Sequence, residues 1–178
     1  AGCARMYERG LSAGFYFCMP KACEEEAEKL YELALALQSM EQPIPNTVSL
    51  KEQRALIVTG ANQGGKSTFL RSLGIAQVLC QAGMYVPAKK YPLYAYEDIF
   101  THFTRREDAT MNMGKFEEEL KRMEQILRAA KKNTLILLNE SFATTTEVTA
   151  YQIAMDLMHT CLSEAVTVWM VTHITKFA

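Results

Sequence analysis

What this chain lacks narrows its class before any motif is read. Its five cysteines, Cys3, Cys18, Cys23, Cys80 and Cys161, are an odd number with no C-x-x-C pair. Neither a disulfide framework nor a zinc cluster is therefore expected, and the thiols read as reduced and cytosolic. No apolar run reaches the roughly 18 residues needed to cross a bilayer, and no signal peptide opens the chain. A cytoplasmic place with no membrane partner is the expectation. An excess of one charge sign is missing too. With 19 Lys and Arg against 20 Asp and Glu, the net charge is -1, so nothing draws the whole surface toward nucleic acid. Histidine is scarce: three in 178 residues, His102, His159 and His173. The first two have no sequence partner and read as structural.

What is present can build a core. At 178 residues and 49% hydrophobic, the chain suits one domain with an appended piece. It opens on alanine and closes just after a strand-like run, as a fragment of a longer protein would.

One stretch has a physical task. Leu56-Ile57-Val58-Thr59 is apolar, Gly60 to Gly65 is rich in glycine, and an amphipathic segment follows. Gly60, Gly65, Lys66 and Ser67 fit G-x-x-x-x-G-K-[ST]. Positive φ and close backbone approach are expected at Gly60, Gly64 and Gly65. The candidate nucleotide-binding set is Gly60, Ala61, Asn62, Gln63, Gly64, Gly65, Lys66, Ser67 and Thr68. Its amides and the positive end of the following helix form a concave anion site. Lys66 is placed for the β and γ phosphates of ATP, and the Ser67 hydroxyl can ligate Mg2+. An ordinary glycine turn between a strand and a helix is the plain alternative.

The remaining elements follow from periodicity. The spacing of Ala27, Leu30, Tyr31, Ala34 and Leu37 predicts a helix over Glu24 to Ser39, with a solvated acidic first turn. A strand is possible around Phe15 to Met19. Thr47 to Leu50 reads as a strand joined by Lys51-Glu52-Gln53 to the strand ending at Thr59, a β-ribbon that would bring Ile44 and Asn46 toward the nucleotide. Helices are predicted from Lys66 to Gln81 with Gly83 as C′, from Gly114-Lys115 to Lys131-Lys132, and from Val148 to Leu162. Strands are predicted at Tyr94 to Phe103, Thr134 to Leu138 and Ala165 to Val171. The Arg105-Arg106 pair reads as solvated surface or as a phosphate or partner contact. Strands alternating with helices imply an α/β fold with a mostly parallel sheet covered on both faces. Ligands gather at the carboxyl ends of such strands, where Gly60, Asn139-Glu140 and Thr172-His173 all lie.

At that edge Glu140 is the candidate general base for the water that attacks the γ-phosphate. Asn139 stands where an acidic metal ligand is expected. It keeps an acceptor oxygen without the charge, so Mg2+ is held more weakly and hydrolysis is slow. His173, after a buried strand, is the candidate γ-phosphate contact. The catalytic set is thus Glu140, His173 and Lys66, and the metal set Ser67 and Asn139.

In order and spacing, Thr59 to Thr68 with Leu70-Arg71, Gly83 to Ala88, Ile99-Phe100-Thr101, Leu138-Asn139-Glu140 and Val171-Thr172-His173 resemble the ATPase domain of MutS, the DNA mismatch-repair family. The resemblance covers about residues 43 to 175. It implies a P-loop, ATP-binding-cassette-like fold over 43–178, with 1–42 as the tail of a preceding lever and clamp region. It also implies a homodimer or pairing with a related MutS-like subunit, and DNA bound through domains outside this chain. Ala61, Gln63, Asn139, the segment near Gly114-Lys115 and the loop Ser141 to Thr146 depart from the family pattern, which implies a divergent branch. A nucleotide-sensing dimerisation module with little turnover stays open. Another cassette ATPase is weakened by the absence of an L-S-G-G-Q block.

Overall fold

The computed structural model describes residues 2–32, 44–51, 53–103 and 114–177. The chain forms two compact units, Ala1–Gln53 with Arg71–Ala95, and Arg54–Leu70 with Tyr96–Ala178.

In the first unit a helix, α1 (Gly2–Ser12), precedes an antiparallel ribbon of β1 (Glu26–Leu30) and β2 (Asn46–Ser49). Single bridges tie Cys18 to Val86, Lys21 to Pro92 and Glu28 to Lys90. The acidic run does not start a helix. Glu28 pairs with Lys89 at 2.6 Å and Lys90 at 3.5 Å, and Glu25 pairs with Lys51. Most of α2 (Lys66–Gln81) belongs here too, with Leu73, Ala76 and Cys80 buried. It closes as expected: Gly83, at φ 67, donates to the Cys80 carbonyl, and Met84 to that of Leu79.

Two expectations fail here. The helix over Glu24 to Ser39 is a strand where it is described, and residues 33–40 lie outside the described residues. The ribbon into the phosphate loop is absent, because β2 pairs with β1 and the strand before the loop pairs elsewhere. Ile44, 86% exposed, and Asn46 therefore lose the hairpin that was to carry them to the nucleotide. Around Phe15 to Met19 the pairing is the one bridge at Cys18.

The second unit is α/β. Its sheet has four parallel strands, β3 (Ala55–Val58), β4 (Ile99–Phe103), β5 (Leu135–Asn139) and β6 (Thr167–Val171), in the order β3-β6-β5-β4. The predicted strand over Tyr94 to Phe103 begins only at Ile99. The chain leaves β3, forms the far strand β4, and returns through β5 to set β6 beside β3. Ile136 and Leu138 of β5, with Val168 and Met170 of β6, share one face. Two helices cover it: α3 (Lys115–Ala129) through Met123 and Ile126, and α4 (Glu147–Ser163) through Ala150, Ala154, Leu157 and Cys161. Leu135, Leu137, Trp169 and Val171 on the opposite face are buried as well, which explains why β5 and β6 read as unbroken apolar runs. Among the described residues no helix is long and apolar enough to cross a membrane.

Candidate functional site

The parallel register sets three chain segments side by side. Val58 of β3 is level with Val171 of β6, which is level with Asn139 of β5. Each strand ends there. The Thr172 amide donates to the Val58 carbonyl at 3.1 Å, and the Glu140 amide to the Val171 carbonyl at 2.9 Å. With strands about 4.8 Å apart, the exits of β3 and β5 lie about 10 Å from each other with β6 between. Apolar register thus brings the glycine loop, His173 and Glu140 to one edge.

The loop from Gly60 to Gly65 is exposed, and its backbone departs from the expected pattern in an instructive way. Gly60 at φ 139 and Gly65 at φ 80 take conformations that side chains disfavour. Gly64 does not need such a φ. A Cβ there would sit 3.1 Å from the Ala61 carbonyl oxygen, so space is the constraint. The left-handed turn falls instead on Gln63, at φ 64. The Gly64 amide, expected to face a ligand, donates to Ala61 at 3.3 Å.

Lys66 is only 8% exposed at the start of α2. Its ammonium donates to the carbonyls of Gly60 at 2.9 Å and Ala61 at 2.8 Å, so the charge hangs across the loop. Among the described residues no acidic side chain stands in the first turn of α2, where the positive helix end favours an anion. Ser67 and Thr68 are half-buried behind it.

Asn139 closes β5 with Oδ1 buried and unpartnered. A covered acceptor with no donor suits a cation or a donor that arrives with a ligand. Among the described residues no group of three or more His, Cys, Asp or Glu could hold a metal ion. Any Mg2+ at this edge must complete its coordination from phosphate oxygens and water, as that ion commonly does. Glu140 is half-buried and left-handed, at φ 51. His173 is exposed, and its neighbour Thr172 is buried with its hydroxyl accepting from the Ile174 amide at 3.1 Å. The Arg105-Arg106 pair lies outside the described residues.

Sequence reading missed a second layer. His102, buried on β4, meets the Ser141 hydroxyl through Nδ1 at 2.7 Å. Burial, and then the charge of Arg122, lower its pKa to about 4. The Glu119 carboxylate on α3 accepts from the Phe142 amide at 2.6 Å and the Thr144 hydroxyl at 3.2 Å. The signal for Glu119 was available: it lies three residues after Phe116 and four before Met123, on the apolar face of its helix.

Comparison with known proteins places this geometry in a family. Residues 56–178 match the family model described as MutS domain V. The chain is 39% identical over 97 residues to the DNA mismatch repair protein MutS of Petrotoga mobilis, covering 54% of this chain and 12% of that protein. It is 35% identical over 122 residues to the same-named protein of Thermotoga neapolitana, covering 68% and 15%. With MutS protein homolog 4 of Homo sapiens it shares 37% over 103 residues, covering 57% and 11%. The matched stretches thus span 11 to 15% of these relatives' lengths. Because the family model covers more than half of the chain, the protein belongs to the MutS family.

Proposed function

We propose that this chain is the ATP-binding and hydrolysing part of a MutS-like mismatch-repair protein, and that its nucleotide state governs a DNA-binding clamp built by the rest of that protein. The observation that carries this reading is the shared level at which β3, β6 and β5 end, with a lysine-bearing glycine loop leaving the first of them. The strand order supports it too: β6 sits beside β3 although β4 and β5 intervene in sequence, and crevices at such points of reversal hold phosphate ligands.

In this reading the fold is that of a P-loop nucleotide-binding protein. The triphosphate lies along Gly60 to Thr68, and Lys66 exchanges its two carbonyl partners for β and γ phosphate oxygens. Glu140 orients and deprotonates the attacking water. His173 contacts the γ-phosphate from the next strand. Ser67 and Asn139 would hold Mg2+, which supplies charge neutralisation on the phosphates. The relatives' names support a part in DNA mismatch repair for the whole protein, and the reading adds pairing with a second MutS-like subunit.

Steady-state phosphate release tests the reading. Glu140→Gln keeps the shape and removes the base. Its expected effect is a loss of about a hundredfold in kcat with the ATP KM held. Equal kcat in the two proteins would rule Glu140 out as the base.

A second reading has its own observation. Asn139 offers a neutral oxygen where turnover favours a charged one, which suits a sensor that binds nucleotide, pairs with a partner subunit and hydrolyses little.

A further inference from the structure

The backbone just after Glu140 is held in an unusual way. Glu140 at φ 51 and Phe142 at φ 66 both occupy the left-handed region that side chains avoid. Such residues persist only where their surroundings over-determine them. Here four hydrogen bonds from three elements act on four of the five residues from Glu140 to Thr144. β6 takes the Glu140 amide at Val171, and β4 takes the Ser141 hydroxyl at His102. α3 takes both the Phe142 amide and the Thr144 hydroxyl at Glu119. The Phe142 ring is 1% exposed and lies 6.2 Å from the His102 ring at an interplanar angle of 27°.

His102 meets this loop through Nδ1 and Glu119 meets it through both carboxylate oxygens. A buried imidazole on β4 and a carboxylate on the apolar face of α3 each carry a desolvation cost that an aliphatic residue would avoid. His102 lies deep in the unit beside Arg122 and is neutral. Its Nδ1 and the Ser141 hydroxyl share a 2.7 Å hydrogen bond whose direction follows the imidazole tautomer.

We propose that Glu119 and His102 are positioning residues for Glu140: by clamping Ser141, Phe142 and Thr144 from two elements, they fix the direction in which the Glu140 carboxylate is presented. This rests on the role proposed above for Glu140. Since Glu119 rides on α3, a displacement of that helix is passed to the Glu140 loop through a carboxylate.

The test uses the 178-residue chain with ATP and Mg2+, in wild type, Glu119→Ala, Glu119→Gln and Ser141→Ala. Phosphate release and amide exchange at Glu140 and Phe142 are measured together. The clamp predicts a kcat loss of about ten- to hundredfold in Glu119→Ala and Ser141→Ala with the ATP KM within about twofold, because the phosphate loop is untouched. Glu119→Gln, which keeps an acceptor for Phe142, recovers most of the rate. If Glu119→Ala does not fold, Ser141→Ala, the loss of one oxygen, decides alone. Unchanged kcat in Ser141→Ala overturns the proposal. So does a loss of kcat accompanied by an equal rise in KM, the mark of general damage. If wild type and Lys66→Ala alike release no phosphate, the hydrolytic reading has failed and exchange decides the clamp. Faster exchange confined to Glu140 and Phe142 in Ser141→Ala supports it; unchanged exchange at both overturns it.

Discussion

Lys66 and His102 meet burial in opposite ways. The lysine, at 8% exposure, has its ammonium held by two carbonyls of its own loop. The imidazole, 2% exposed and near Arg122, gives its charge up, with a pKa of about 4 in place of 6.5. The consequence for stability has a definite sign. The unfolded chain takes up a proton at His102 as pH falls through 6.5, and the folded chain does not until about pH 4. The stabilisation is therefore complete above pH 6.5 and is lost as pH falls from there toward 4. Urea unfolding at pH 7.5 and pH 5 should find wild type weakened by about 2 kcal/mol from this residue, and His102→Gln weakened less over the same interval. Equal losses would assign the acid sensitivity to other groups. At this scale the positions of the Lys66 loop, Glu140 and His173 after apolar runs were legible, and the register sets those segments at one edge; the chemistry assigned to them belongs to the proposal. The Ser141 and Glu119 contacts were hidden, because they join residues 39 and 23 positions apart in sequence.

Among the elements, those with one dominant local signal were legible. α2 runs from Lys66 to Gln81 as its glycine boundaries imply, and α3, α4, β5 and β6 lie within a few residues of their apolar patterns. The misreading of β1 has a specific cause. Ala27 and Leu30 are both fully buried and three residues apart, the spacing of a helix face. In the strand a register shift falls between them, with Lys29 at φ 51, and it returns both side chains to one side. A bulged strand and a helical turn write the same pattern. The hairpin expected between β2 and β3 failed for a different reason. The true neighbour of β3 is β6, more than 100 residues later, and no local rule reaches that far. The start of α4 yields a direct test. Thr146 accepts from the Thr149 amide at 3.3 Å and meets the Thr149 hydroxyl at 2.9 Å. Thr146→Ala should cost about 1 kcal/mol, read as a lower thermal midpoint with phosphate release unaltered at 25 °C. No change in midpoint would mean that water caps the helix as well as threonine does.

For the whole molecule the question raised by the proposed function is whether this edge turns ATP over or only senses it. The MutS family is shown by residues 56–178, and Asn139 is the feature on which the two readings part. Its buried, unpartnered oxygen leaves the site without the acidic ligand that Mg2+ prefers. Asn139→Asp restores that charge. The sensor reading predicts at least about a tenfold gain in phosphate release and a sharper dependence on Mg2+ concentration. Equal rates in wild type and Asn139→Asp would exclude the sensor and leave Glu140 with its neutral neighbour as a working pair.

Both readings need the loop to hold a triphosphate. Calorimetric titration of ATP into the wild-type chain and into Lys66→Ala measures this without requiring turnover. The account predicts saturable one-site binding by wild type and loss of detectable binding in the variant, whose loop keeps its glycines but has no ammonium across Gly60 and Ala61. ATP bound with the same affinity by both chains would contradict it.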